Sequence, residues 1–268
     1  MPRLKLTLAY VGACFAGWQI QPGCRTVQGE LEAVLGSILG EPARVGAAAR
    51  TDTGVHALGQ VVHVDVPEAK AHIPWRRALN AILPDDICVT EAREVPPDFH
   101  ARFSASSKIY AYTIWTEYEF ILPQRRPFAW RMAGLDLAAV DEAMASFVGR
   151  HDFKSLQNVG TPVKDTVRTV TDFWREPGPT RWEITFRIRA DGFLKQMVRN
   201  IMGCVVAAGR GKLRPEDIPA LLAARDRSLA PETAPGWALC LEQVFFDEKA
   251  GPEGSRPDDQ DIEGEESG

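Results

Sequence analysis

The chain reads as an α+β protein of two ferredoxin-like split βαβ units, forming a mostly antiparallel sheet with helices on one face and a central cleft. Three observations carry that expectation. Apolar runs of period two, bounded by Gly and Pro, alternate with runs of period 3.6 in the order strand, helix, strand, strand, helix, strand. The second half repeats this order. The chain's 268 residues, 45% of them hydrophobic, are enough for two small units with a real core.

Leu4 to Tyr10 alternates as a strand, and Gly12 to Cys24 follows as a loop. Thr26 is a good N-cap for a helix in which Val27, Leu31, Val34, Leu35 and Ile38 recur at helical spacing as far as Gly40. Arg44 to Ala48 and Gln60 to Val66 supply the next two strands. Pro74 opens a helix through Leu83 that Pro84 ends, and Ile87 to Val95 completes the unit. In the second half Lys108 to Thr116 is a strand and Leu137 to Val148 an amphipathic helix. Thr166 to Arg175 and Arg181 to Ala190 pair across a turn at Pro177-Gly178-Pro179. Phe193 to Ala208 is a long apolar helix, Arg214 to Arg225 a further one, and Ala238 to Phe246 the closing strand. The units are therefore expected over 1–104 and 105–247.

Residues 248–268, rich in Gly, Pro, Ser, Asp and Glu, bury too little to order themselves and read as an acidic disordered tail. From Asp247 onward nine acids face two basic residues, so the net charge of -5 becomes +2 over residues 1–246. That body can hold a basic face. The five cysteines are scattered, with no Cys-x-x-Cys pair. They read as reduced, mostly buried thiols of a cytoplasmic protein without a structural metal. Charges interrupt the first apolar run, which excludes a signal peptide there, and no apolar run reaches membrane-spanning length. The expectation is a soluble protein.

The stretch Ala49 to Asp65 is the most informative. Arg50-Thr51-Asp52-Thr53-Gly54 is too polar and too Gly-punctuated for core, and a short loop pinned by sheet can hold one carboxylate at a fixed place. The competing reading makes Asp52 an ordinary turn residue with Gly54 as its φ > 0 partner. In the helix from Phe193, Leu194, Met197, Val198, Ile201 and Val205 form the buried stripe. Arg199 lies at its edge, where a guanidinium is costly unless paired. Asp52 is a candidate partner, and bidentate pairing would orient it as a nucleophile needs. A surface Arg with a snorkelling stem is the alternative.

His100, Arg102, Phe103, Lys108, Tyr110 and Tyr112 interleave cations with rings, the composition of an RNA-contacting surface. Core or cross-strand tyrosines compete with that reading. Phosphate-cradling loops, dinucleotide fingerprints and Gly-x-Ser-x-Gly elbows are missing from the sequence. His56 and His63 lack a third ligand at a recognisable spacing, so they read as structural rather than metal-binding. Asp65 alone keeps a two-carboxylate glycosidase formally open.

Gly17-Trp18-Gln19-x-Gln21 with Thr26-Val27-Gln28, then Arg50-Thr51-Asp52-x-Gly54-Val55-His56-Ala57 and Gly59-Gln60-Val61, resemble the tRNA pseudouridine synthases of the TruA type. Ala78-Leu79-Asn80, Phe99-His100-Ala101-Arg102-Phe103, His151-Asp152-Phe153, Arg168-Thr169 and Met197-Val198-Arg199-Asn200-Ile201 continue the likeness in the same order, nearly end to end. The resemblance implies an isomerase that turns uridine into pseudouridine at positions 38, 39 and 40 of the tRNA anticodon stem-loop. It implies no cofactor and no metal, tRNA as partner, and a homodimer. Asp52 would be the nucleophile, Arg199 its ion-pair partner and Tyr110 the ring stacked on the uracil. Arg50 would help extrude the nucleotide or hold its phosphate, with Arg102 and Lys108 on the RNA-binding surface. Ala49 stands where the family usually has Gly, Val11 where Asp is common, and Ala234 to Cys240 follows the family's C-terminal pattern only loosely. Two rivals remain open at this point: a non-catalytic RNA-binding module on paired RRM-like units, and a hydrolase using Asp52 on another glycosidic substrate.

Overall fold

The computed structural model describes residues 1–158 and 163–247, so the tail expected over 248–268 lies outside the described residues. Among the described residues ten strands form one sheet. They are β1 (Arg3–Tyr10), β2 (Gly46–Ala47), β3 (His56–Asp65), β4 (Ile87–Val95), β5 (Ala105–Trp115), β6 (Trp130–Arg131), β7 (Gly149–Asp152), β8 (Val167–Pro177), β9 (Glu183–Ala190) and β10 (Leu239–Phe246). Their order is β4-β1-β3-β10-β5-β9-β8-β7, with β2 on β3 and β6 on β5. The β3–β10 and β5–β6 pairings are parallel and the others antiparallel. The α-helices are α1 (Val27–Leu39), α2 (Trp75–Asn80), α3 (Leu137–Ala145), α4 (Met197–Gly209) and α5 (Ile218–Ala224). This is a mixed α/β protein with one large, mostly antiparallel sheet.

Alternation decides which side of the sheet is core. Leu4, Leu6, Leu8 and Tyr10 of β1 share one buried cluster with Val27, Leu31, Val34 and Leu35 of α1 and with Met197, Ile201 and Val205 of α4. Each fully buried leucine contributes about 1.5–3 kcal/mol. Thr26 caps α1 as its sequence position requires, its hydroxyl accepting from Gly29 N at 3.3 Å. Asp136 does the same for α3 through Ala138 N and Ala139 N. No helix among the described residues is long and apolar enough to cross a membrane.

Several boundaries differ from the sequence expectation, each for a local reason. The strand expected over Arg44 to Ala48 shrinks to two residues because Val45 N donates to Glu32 of α1 at 3.1 Å, not to the sheet. The helix expected from Pro74 to Leu83 stops at Asn80, whose amide brackets Val89 of β4 at 2.8 and 2.7 Å; such side-chain to backbone bonds compete with a helix. The long helix starts at Met197 rather than Phe193, since Gln196 is left-handed at φ 62°. The helix expected from Arg214 divides into a 3-10 turn, Pro215–Asp217, and α5. The short strands β6 and β7 have no counterpart in the pattern. Nor are the thiols mostly buried. Cys14 and Cys24 lie in the loop after β1 and Cys88 points outward from β4, all three exposed.

Candidate active site

Asp52 opens a tight turn in which Val55 N donates to Asp52 O at 3.1 Å. Gly54, at the third position, has φ 79°, the place where a type II turn needs positive φ. β3 begins two residues later, so the turn is built onto the sheet, and His56 and Ala57 belong to strand rather than loop. Gln60, with no exposed surface, holds the entry to the turn. Its Oε1 accepts from Ala49 N at 3.2 Å and its Nε2 donates to Ala49 O at 2.6 Å. Ala49 is not among the described residues with positive φ, so an alanine is accommodated there. Beside it, Thr51 Oγ1 and Tyr10 Oη share a buried hydrogen bond of 2.8 Å.

Arg199 lies in the first turn of α4 and reaches this loop from the other half of the chain. Its Nη1 donates to Asp52 Oδ2 at 3.2 Å, and its Nε donates to Ala234 O at 2.7 Å. The expected bidentate fork is therefore replaced by one bond to the carboxylate and one to a backbone carbonyl. Two anchors in different directions hold the guanidinium. Side-chain exposures of 16% for Arg199 and 19% for Asp52 leave the pair within reach of a substrate.

Tyr110 of β5 is 7% exposed and meets Phe193 edge to face at 5.0 Å between ring centroids. Burial, reinforced by the nearby Tyr10 and Asp52 groups, drives its phenol well above the usual tyrosine range. It stays neutral. Tyr112, two residues on, is a core residue whose hydroxyl donates to Pro235 O at 3.0 Å. Arg50 is exposed at the mouth of the turn. Lys108 is half-buried on β5, two residues before Tyr110 and opposite Val244 of β10. Arg102 is not brought to the pair. It is exposed, and its neighbour Ala101 donates to His63 Nδ1 at 3.2 Å. His63 lies seven residues beyond His56 on β3, roughly 23 Å along a strand.

Two further features complete the site, the first being the partners of His56, read from the sequence as a structural histidine. His56 is buried, and its Nδ1 accepts from Gly12 N at 3.0 Å, which leaves Nε2–H as the donor. That proton points at Pro127 O (2.8 Å) and Trp237 O (2.9 Å). Burial lowers the imidazole's pKa against those two carbonyls, so the ring acts as a neutral rivet between three segments. The second feature is the strap of residues 232–237. Ala234 exchanges hydrogen bonds with Arg199, Pro235 O accepts from Tyr112, and Gly236 packs flat on the Thr53 carbonyl. The sequence signal was the loose likeness of Ala234 to Cys240 noted above. Burial also pushes the Cys240 thiol up to about 12, so no thiolate forms beside the site. Among the described residues no three His, Cys, Asp or Glu side chains are grouped to hold a metal ion.

The comparisons with known proteins agree on one family. The family model for tRNA pseudouridine synthase matches residues 7–104 and 143–247. The tRNA pseudouridine synthase A of Solidesulfovibrio magneticus is 55% identical over 251 residues, covering 92% of each chain. That of Maridesulfovibrio salexigens is 50% identical over 248 residues, again covering 92% of each. The protein of the same description from Geobacillus kaustophilus is 46% identical over 249 residues, covering 92% of this chain and 95% of its own. The chain belongs to the tRNA pseudouridine synthases, enzymes that isomerise uridine within tRNA.

Proposed function

We propose that Asp52 is the nucleophile of this isomerisation, that Arg199 holds it in place, and that Tyr110 is the ring on which the target uracil stacks. The observation that carries this reading is the 3.2 Å bond between Arg199 Nη1 and Asp52 Oδ2 across 147 residues of sequence. The reaction needs little else. The C1′–N1 bond breaks, the uracil turns, and a C1′–C5 bond forms while C5 loses its proton and N1 gains one. No electron is gained or lost, so the chemistry calls for one carboxylate and a pocket holding the freed base, without a redox cofactor or metal. A base must first leave its stack. A neutral Tyr110 with a ring fixed by Phe193 suits that base, because stacking tolerates any orientation the turning uracil adopts.

Arg50, exposed two residues before Asp52, would hold the phosphate of the extruded nucleotide. Lys108 on β5 and Arg102 in the turn before it would meet more distant phosphates of the same RNA. The targets are uridines 38, 39 and 40 of the anticodon stem-loop, and the enzyme acts in the cytoplasm as a homodimer. Residues 1–104 and 105–247 are read as two ferredoxin-like units facing each other across a central cleft. In support, β4-β1-β3-β2 and β10-β5-β9-β8 have the same internal order, and α1, α2, α3 and α4 occupy the corresponding connections.

The substitution Asp52→Asn tests the reading. With unmodified tRNA transcript, the variant is expected to bind tRNA with the wild-type Kd while conversion falls by about a thousandfold or more. Mapping pseudouridine in the wild-type product tests positions 38, 39 and 40. Turnover retained by Asp52→Asn removes Asp52 from the mechanism.

A further inference from the structure

The residue after Arg199 on α4 is Asn200, which has no exposed surface. Its Nδ2 donates to Leu156 O at 2.7 Å. A carbonyl can only accept, so the amide orientation is fixed and Oδ1 is turned the other way. There it accepts from Thr233 Oγ1 at 2.7 Å and from Arg227 Nη2 at 3.0 Å. The same Arg227 Nη2 donates to Thr233 Oγ1 at 2.8 Å, and Arg227 Nη1 donates to Ala230 O at 3.1 Å. Thr233 has one hydroxyl proton, spent on Asn200, and a lone pair that takes the guanidinium. The set leaves no member with a spare role.

Its position gives it meaning. Two consecutive residues of α4, Arg199 and Asn200, grip two consecutive residues of the strap, Ala234 and Thr233. Ala234 O is the second anchor of Arg199, at 2.7 Å, and Ala234 N donates to Arg199 O at 3.1 Å. None of Asn200, Thr233 and Arg227 bonds to Asp52. We propose that Asn200, Thr233 and Arg227 are positioning residues for the isomerisation: they lock the strap so that Ala234 O aims Arg199 at Asp52. This inference rests on the reading of Asp52 and Arg199 given above.

The proposal separates from a merely structural role by the pair Thr233→Val and Thr233→Ser. Valine keeps the shape and removes the hydroxyl; serine keeps the hydroxyl. Single-turnover conversion of tRNA transcript is measured at saturating enzyme, well below each variant's thermal midpoint, alongside the tRNA Kd. The expected result is a rate constant about tenfold or more lower for Thr233→Val, as a misaimed group gives. Kd should be unchanged, and Thr233→Ser should return to near the wild-type rate. A wild-type rate for folded Thr233→Val, whatever its melting temperature, overturns the proposal. So does a rate loss that Thr233→Ser shares, or a loss seen only in Kd. If Thr233→Val does not fold, Arg227→Met carries the test, since a thioether side chain donates none of the three guanidinium contacts: the same rate loss supports the proposal and a wild-type rate refutes it. Asp52→Asn run in parallel keeps the failures apart. Full activity in Asp52→Asn defeats the underlying reading, whereas an inactive Asp52→Asn beside a fully active Thr233→Val defeats only this inference.

Discussion

Adding a single methyl group at Gly236 should damage catalysis from outside the reacting groups. A Cβ there would lie 2.6 Å from the Thr53 carbonyl oxygen, where ordinary contact begins at 3.4 Å. Strap and turn must therefore part by the difference, about 0.8 Å. The strap is the harder to move, because Ala234 O, Pro235 O and Trp237 O are held by Arg199, Tyr112 and His56. The turn therefore yields, and Thr53 carries its neighbour Asp52 with it. The Arg199–Asp52 bond starts at 3.2 Å, so a shift of about 0.8 Å lengthens it past hydrogen-bonding range. A misplacement of this size costs about tenfold to a hundredfold in rate, while overpacking costs about 1–3 kcal/mol of stability. Single-turnover conversion of tRNA transcript by Gly236→Ala, with the thermal midpoint recorded on the same preparation, reads both. A wild-type rate constant would show that the strap does not pin the turn, and the reasoning would fail.

Two further outcomes follow from buried polar groups around the turn and the far end of β3. Gln60→Leu keeps volume but strips Ala49 of both backbone partners, at about 1–3 kcal/mol for each group left unsatisfied; an unchanged denaturation midpoint would contradict it. His63 is held down to about 4, from 6.5, chiefly by burial, with the like charges of His100 and Arg3 adding. Between those pH values the unfolded chain takes up a proton that the folded chain refuses, so this group's contribution is full above about pH 6.5 and fades as pH falls toward 4. The wild-type thermal midpoint should accordingly drop more steeply over that window than that of His63→Gln, and equal slopes would argue against the assignment.

What was legible in the sequence follows from which forces leave a side-chain signature. β1 and α1 show an uninterrupted apolar period, α1 with a cap at its start, and the pattern alone places them. Arg199 announces that it needs a partner, because an unpaired guanidinium beside an apolar stripe is costly. That its second bond goes to Ala234 O could not be read, since any residue offers a carbonyl. The same holds for Pro235 O, Trp237 O and Pro127 O, which receive the protons of Tyr112 and His56. β7 was invisible for another reason: Gly149-Arg150-His151-Asp152 is an edge strand of four polar or small residues, specified by its partner β8 and not by its own pattern. Arg102, exposed in the turn before β5, shows that interleaved cations and rings report a surface without saying how far it lies from Asp52.

The joint between the N-terminal and C-terminal parts of the sheet explains why so many polar groups are buried near Asp52. β3 and β10 share two ladder pairs, His56 with Cys240 and Ala57 with Leu241, just after the Asp52 turn. A parallel ladder of two pairs is weak and cannot by itself resist a slip in register. What resists it is directional: the His56 ring bonded to Gly12, Pro127 and Trp237, and the Arg199 side chain bonded to Asp52 and Ala234. Apolar side chains of equal volume would seal the joint but would tolerate a shift of a fraction of an ångström. Hydrogen bonds to fixed carbonyls do not. The contacts that set the register of the joint are thus the contacts that set the distance from Arg199 to Asp52, and a perturbation of the joint reaches the carboxylate before it unfolds either part.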